Sequence, residues 1–247
     1  MRNPDIFPDA LALHRDAALK IVSRSSEALR TTGIFTIVLA GGSTPRQLYE
    51  LLAGEFRDQF AWDRIHFFWG DERHIPPDHP DSNYRLAKEA MLARLPVLPE
   101  NVHRIRAENP CADQVAEEYC RELRDFFHLE PPAMPRFDLV LLGLGADGHT
   151  ASLFPGSTAL REQYRLVAAN WVEEFQAHRI TMTAPLLNNS ACVLFLVQGM
   201  EKAEALREVL AGANQPERLP AQLIKPVNGE LYWLVDRAAA SLLPGNS

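Results

Sequence analysis

Apolar residues along the chain fall into two alternating rhythms, continuous runs of strand length and longer stretches spaced three and four apart. The runs lie at 34–40 (IFTIVLA), 65–69 (IHFFW), 137–142 (FDLVLL), 192–197 (CVLFLV) and 231–235 (LYWLV). Runs without a polar face predict strands covered on both sides. Weaker strand patterns occur at 165–169 and 179–183, and helical spacing covers 10–29, 45–52, 83–95, 112–127 and 200–210. Leu48, Leu51 and Leu52 share one face of the second helix. Strand and helix alternate, which predicts an α/β fold with a mainly parallel, Rossmann-like sheet flanked by helices in three α/β/α layers. Pro-rich and polar stretches at 76–82, 131–135 and 214–220 are loops too short for interdomain linkers, so residues 1–247 are expected to form a single domain.

A chain of 247 residues with 47% hydrophobic content can bury a large core. The formal net charge of −7 argues against nucleic acid or an anionic membrane as a partner. An anionic ligand would therefore need a local cluster of cations. Cys111, Cys120 and Cys192 lack the even count of a disulfide framework and the spacing of a zinc site, and read as thiols of a reducing compartment. The first residues, MRNPDIFPDALALH, lack a basic segment followed by an apolar one, and no apolar stretch is long enough to span a membrane. A cytoplasmic protein is expected.

Chemistry concentrates at 137–155, FDLVLLGLGADGHTASLFP, where a core strand runs into Gly143, Gly145 and Gly148. The glycines permit a tight turn and close approach of a ligand. Asp147 and His149 ride on that turn, at the carboxyl end of a strand where open α/β sheets bind ligands. The same glycines spell GxGxxG, but Pro155 and Gly156 interrupt the long helix a dinucleotide site requires, so no nicotinamide or flavin cofactor is expected. No metal is expected either, because His149 has no HxH or HxxxH partner.

Two further strand ends carry polar clusters. In AGGSTPRQ (40–47), Thr44 is placed as an N-cap, Pro45 as the first helical residue and Gln47 as the far side of a capping box. Free backbone N–H groups and two hydroxyls at such a helix start suit a phosphate, and a well-made strand-to-helix turn accounts for the pattern equally well. In WGDERHIP (69–76), Asp71, Glu72, Arg73 and His74 project from a strand end, with a solvated turn the plainer reading for Glu72 and His74. Arg179 and Lys202 are cations at the start of a strand and in the first turn of a helix. Lys202 there opposes the helix dipole and suggests an anion to answer it, with a snorkelling surface lysine the more frequent outcome of such a position.

Together these residues resemble the 6-phosphogluconolactonase family. The resemblance rests on GGSTP at 41–45, GDER at 70–73, Ser82–Asn83, GLGADGHTASLFP at 143–155, RIT at 179–181, GxxK at 199–202, LPAQLIKP and WLVDRAA, and it spans nearly the whole chain. It implies the fold shared by glucosamine-6-phosphate deaminases, ribose-5-phosphate isomerases and CoA transferases, and hydrolysis of 6-phospho-D-glucono-1,5-lactone in the oxidative pentose phosphate pathway. His149 is then the general base for water attack, with Asp147 or Asp71 supporting the imidazole and Arg73 stabilising the oxyanion or holding hydroxyls. Gly41, Gly42, Ser43, Thr44, Asn83, Gly145, Arg179 and Lys202 are expected to bind the substrate and its phosphate. The related deaminases resemble DGHIAFNEP, with an acid before the proline. Here Phe154 stands in that place, and Arg73 stands where a deaminase has DEY. An amino-sugar deaminase and a non-enzymatic sugar-phosphate sensor are the alternatives. The roughly 33 residues before the first long strand leave no room for the DNA-binding segment such sensors carry. A monomer or weak homodimer is expected.

Overall fold

The computed structural model describes residues 3–244. Its elements run β1 (Asp5–Phe7), α1 (Ala10–Thr31), β2 (Phe35–Leu39), α2 (Ser43–Ala53), β3 (Ile65–Trp69), β4 (Asp71–Arg73), α3 (Asn83–Ala90) and β5 (Val102–His103). After these come α4 (Ala112–Phe127), β6 (Leu139–Gly143), β7 (Val167–Val172), β8 (Ala177–Met182), α5 (Ala184–Asn188), β9 (Cys192–Val197), α6 (Ala203–Ala211) and β10 (Glu230–Asp236). Seven strands form an all-parallel sheet in the order β1-β10-β9-β6-β2-β3-β5. Every residue of β2 and of β9 is buried, as their unbroken apolar runs demand of strands between two helical layers. Phe35, Phe67, Phe68, Phe137 and Phe195 are fully buried in this three-layer α/β/α core, each worth about 1.5–3 kcal/mol of burial.

The weaker strand patterns do not join the parallel sheet. β7 and β8 pair antiparallel and, with β4, make a separate three-stranded sheet in the order β4-β8-β7. The reason is the length of the connection: a single short turn, Glu173–Phe175, lies between β7 and β8, whereas a parallel crossover needs about a dozen residues or more. Two expected helices are also shorter than their patterns. α3 ends at Ala90 and continues only as a 3-10 turn, Leu92–Arg94, after Met91 leaves helical dihedral angles. The pattern at 200–210 opens as a 3-10 turn, Met200–Lys202, before α6 begins.

Because the central strands are parallel, the loops leaving the carboxyl ends of β2, β3, β6 and β9 emerge on one side of the sheet. The small sheet is tied to the same side: Gly70 N–H donates to the Leu39 carbonyl at 3.0 Å, and the Gly70 carbonyl accepts from Met182 N–H at 2.7 Å. Functional groups from both sheets are thereby brought to one crevice.

Candidate active site

The loop after β2 is set by Tyr49 of α2, whose hydroxyl accepts from Ala40 N–H at 3.0 Å and donates to the Ala40 carbonyl at 2.7 Å. Gly42 follows with φ +98°, in the region that favours glycine, and takes the N-cap place itself. The expected capping box does not form. α2 starts at Ser43 with no side-chain cap, so Thr44 is inside the helix and is not its cap. The positive-φ turn at Gly42 delivers the chain into the helix two residues before the sequence signature does. The first amides of α2 are consequently left without a side-chain partner at a positive helix end.

The loop after β3 divides its charged residues between structure and cleft. The buried Glu72 carboxylate accepts from Arg73 N–H, Ser82 Oγ, Asn83 N–H and Tyr84 N–H at 2.7–3.0 Å and so holds the start of α3. Burial pushes its carboxyl up from the ordinary range against the pull of those donors. Asp71 is buried and accepts from Ser152 Oγ at 2.6 Å. Asn83 donates through Nδ2 to the Asp71 carbonyl at 2.9 Å, and its Oδ1 lies where a Cβ on Gly41 would stand, 1.9 Å away. Asn83 thus clamps the two loops together. His74 Nε2 is engaged with the Asn109 carbonyl at 2.7 Å, and Arg46 lies 3.8 Å from Glu50 and 3.9 Å from Glu89, so both look away from the cleft.

The loop after β6 presents the imidazole. Gly148 at φ +84° closes the turn, Gly148 N–H donates to the Gly145 carbonyl at 3.0 Å, and Gly145 N–H donates to the His149 carbonyl at 2.8 Å. Asp147 Oδ1 accepts from His149 N–H at 3.1 Å and lies 2.6 Å from His149 Nδ1. Partial burial opposes ionisation of Asp147, but the hydrogen bond and charge of His149 outweigh it and hold the carboxyl below its usual range. A carboxylate on Nδ1 fixes the tautomer and leaves Nε2 as the basic atom. The Phe154 ring packs on the imidazole with centroids 4.2 Å apart. Asp71 makes its side-chain bond to Ser152, so of the two candidate carboxylates it is Asp147 that touches His149.

The loop after β9 supplies a cation. Gly199, at φ +94°, donates its N–H to both oxygens of Asp236 at 3.1 Å, and Lys202 closes the next turn through a bond from its N–H to the Gly199 carbonyl. The four loops enclose a cleft of about 240 Å³ lined by Gly41, Gly42, Ser43, Thr44, Asp71, Arg73, Asn83, Gly145, His149 and Lys202 among others. Asp147 and Arg179 are not part of that lining: Asp147 touches His149, and Arg179 lies on β8 directly opposite Arg73 in register. Burial and the neighbouring Arg73 charge lower the Arg179 pKa. Two register-paired cations repel, and an anion beside either would offset the repulsion. Gln198 and Glu201 also line the cleft and were not expected there. Gln198 follows a buried run directly, and its place at a strand's carboxyl end was the available signal. Among the described residues no group of three or more His, Cys, Asp or Glu is arranged to hold a metal ion, and no helix is long and apolar enough to cross a membrane.

Residues 8–233 match the family model described as glucosamine-6-phosphate isomerases/6-phosphogluconolactonase. The chain is 41% identical over 239 residues to a 6-phosphogluconolactonase of Synechocystis sp., covering 97% of each chain. It is also 41% identical over 241 residues to one of Nostoc sp., again covering 97% of each. The crystal structure of 6-phosphogluconolactonase from Thermotoga maritima superposes with a TM-score of 0.79 at 32% identity, over 94% of this chain and 98% of that one.

Proposed function

The chain belongs to the glucosamine-6-phosphate isomerase/6-phosphogluconolactonase family, and from that premise we propose how its cleft hydrolyses 6-phospho-D-glucono-1,5-lactone to 6-phosphogluconate. The reaction is that of a carboxylic ester hydrolase in the pentose phosphate pathway. The observation that carries the mechanism is the 2.6 Å contact between Asp147 Oδ1 and His149 Nδ1 on the wall of the cleft that also holds the uncapped start of α2.

Water attacks the C1 carbonyl while His149 Nε2 takes its proton. Asp147, kept ionised, stabilises the imidazolium that forms. The oxyanion on C1 is stabilised by the Arg73 guanidinium, which a bond to the Asp81 carbonyl holds in place. Collapse of the intermediate breaks the bond from C1 to the ring oxygen, and His149 returns the proton to that oxygen. The carboxylic acid then ionises to 6-phosphogluconate. The phosphate lies against the amides and hydroxyls of Ser43 and Thr44, the backbone of Gly41 and Gly42, and the cations Lys202 and Arg179. Its binding energy orients the lactone over the base. Asn83 and Gly145 shape the walls, and Asp71 braces the Ser152 loop.

Deamination is disfavoured by one feature. Phe154, nearly fully buried and packed on His149, occupies the place of the deaminase acid, so no carboxylate is offered there for ring opening. We propose that the enzyme works in the cytoplasm as a single-domain monomer or weak homodimer, without metal or cofactor. Incubation with freshly generated 6-phosphogluconolactone tests the reading: 6-phosphogluconate should form well above the spontaneous rate, and glucosamine 6-phosphate should release no ammonia. The reverse pattern would assign the cleft to deamination, and phosphate-competitive binding without turnover of either would make the chain a sensor.

A further inference from the structure

An exposed aromatic residue stands at the tip of the β7–β8 hairpin. Phe175 is 48% exposed, although a turn that only had to reverse the chain would be served by a polar residue. Its surroundings are built. Its ring meets the nearly buried Phe154 edge-on at 5.8 Å, and Phe154 is itself packed on His149. The other side of the ring faces the Arg179 guanidinium, whose Cζ lies 5.0 Å from its centroid.

One of the two acids of the turn, Glu173, is held by partners within the hairpin. Glu173 accepts from Trp171 Nε1 at 2.8 Å and from Gln176 Nε2 at 2.8 Å through its carboxylate, and from Gln176 Nε2 and N–H through its carbonyl. Gln176 ends the turn in the left-handed region. A carboxylate partner would hold Arg179 but would also compete with a phosphate for it. An aromatic face attracts the guanidinium without spending its charge. It also restrains Arg179 against repulsion by Arg73, its direct neighbour in register.

We propose that Phe175 is a positioning residue that, seated on Phe154, holds the Arg179 guanidinium for the substrate phosphate and so contributes to selection of phosphorylated lactones. The inference rests on the phosphate role assigned to Arg179 above. Steady-state kinetics of Phe175→Leu, Phe175→Tyr, Arg179→Ala and the Phe175→Leu/Arg179→Ala double variant test it, with 6-phosphogluconolactone and unphosphorylated gluconolactone as substrates. Phe175→Leu should raise KM for the phosphorylated lactone about threefold to thirtyfold, with kcat nearly unchanged. The rate constant on the unphosphorylated lactone should be unaltered, Phe175→Tyr should restore the wild-type KM, and in the Arg179→Ala background Phe175→Leu should add nothing. Equal KM values for Phe175→Leu and Phe175→Tyr, or a full additional effect in the double variant, would overturn the role of Phe175. A wild-type KM for Arg179→Ala alone would instead overturn the phosphate role of Arg179. An unchanged circular dichroism spectrum and thermal midpoint for Phe175→Leu would separate either result from unfolding.

Discussion

Gly145 carries no side chain because the imidazole fills the space where one would go. A Cβ there would stand 2.1 Å from His149 Nδ1 and 2.5 Å from Asp147 Oδ1. Gly145→Ala should therefore displace the dyad while sparing the fold, lowering kcat about 100-fold, as expected of an ångström-scale misplacement of a catalytic group. Comparison of kcat and the thermal midpoint checks this, and a loss of stability in proportion to activity would contradict it. His149 and Asp147 were legible from the Asp-Gly-His triplet, since neighbours on a tight turn meet locally. The task of Asp71 was not, because Ser152, the partner that occupies it, lies 81 residues away. Phe175 was silent for the same reason, as its meaning depends on Phe154 and Arg179 arriving from other segments.

Among the elements, the starts of α2 and α3 differ in capping, α2 having no side-chain cap and α3 having one. Thr44 resembles a cap in the sequence and does not act as one, whereas Ser82 accepts from Arg85 N–H at 3.1 Å and donates to Glu72 at the start of α3. Thr44→Ala should cost less than about 0.5 kcal/mol of stability yet raise KM about tenfold. Ser82→Ala should cost about 1 kcal/mol or more. Denaturant titration alongside steady-state kinetics distinguishes the two, and a Thr44→Ala loss as large as that of Ser82→Ala would restore the cap. Strands with unbroken apolar runs were legible because burial on both faces dictates composition. β1, β4 and β5, with two or three residues each, are too short to show a period. The expected strands at 165–169 and 179–183 stop short of the turn that joins β7 to β8, so their antiparallel pairing was hidden, and the alternation of strand and helix elsewhere pointed to a parallel sheet.

Across the whole molecule, acid should weaken the fold through histidines other than His149. Burial, aided by His103, lowers the His66 pKa from 6.5 to about 4, and burial lowers that of His14. His66 faces His103 across 3.2 Å, and His103 in turn reaches Glu122, so only the outer imidazole of the pair has a carboxylate to balance a proton. A base whose folded pKa is depressed is protonated first in the unfolded chain. Its contribution is thus complete above pH 6.5 and is lost as pH falls toward about 4. Denaturation midpoints should decline over that window, and His66→Phe should flatten the slope. An unchanged slope would remove His66 from the account.

In the mechanism proposed for the cleft a single imidazole carries the chemistry, and its removal is the most direct test. Formation of 6-phosphogluconate from freshly generated lactone should be followed for wild type and His149→Ala at equal concentration, with spontaneous hydrolysis subtracted. The variant should keep the wild-type circular dichroism spectrum and lose measurable acceleration. Wild-type-like turnover by folded His149→Ala would contradict the mechanism proposed for the cleft.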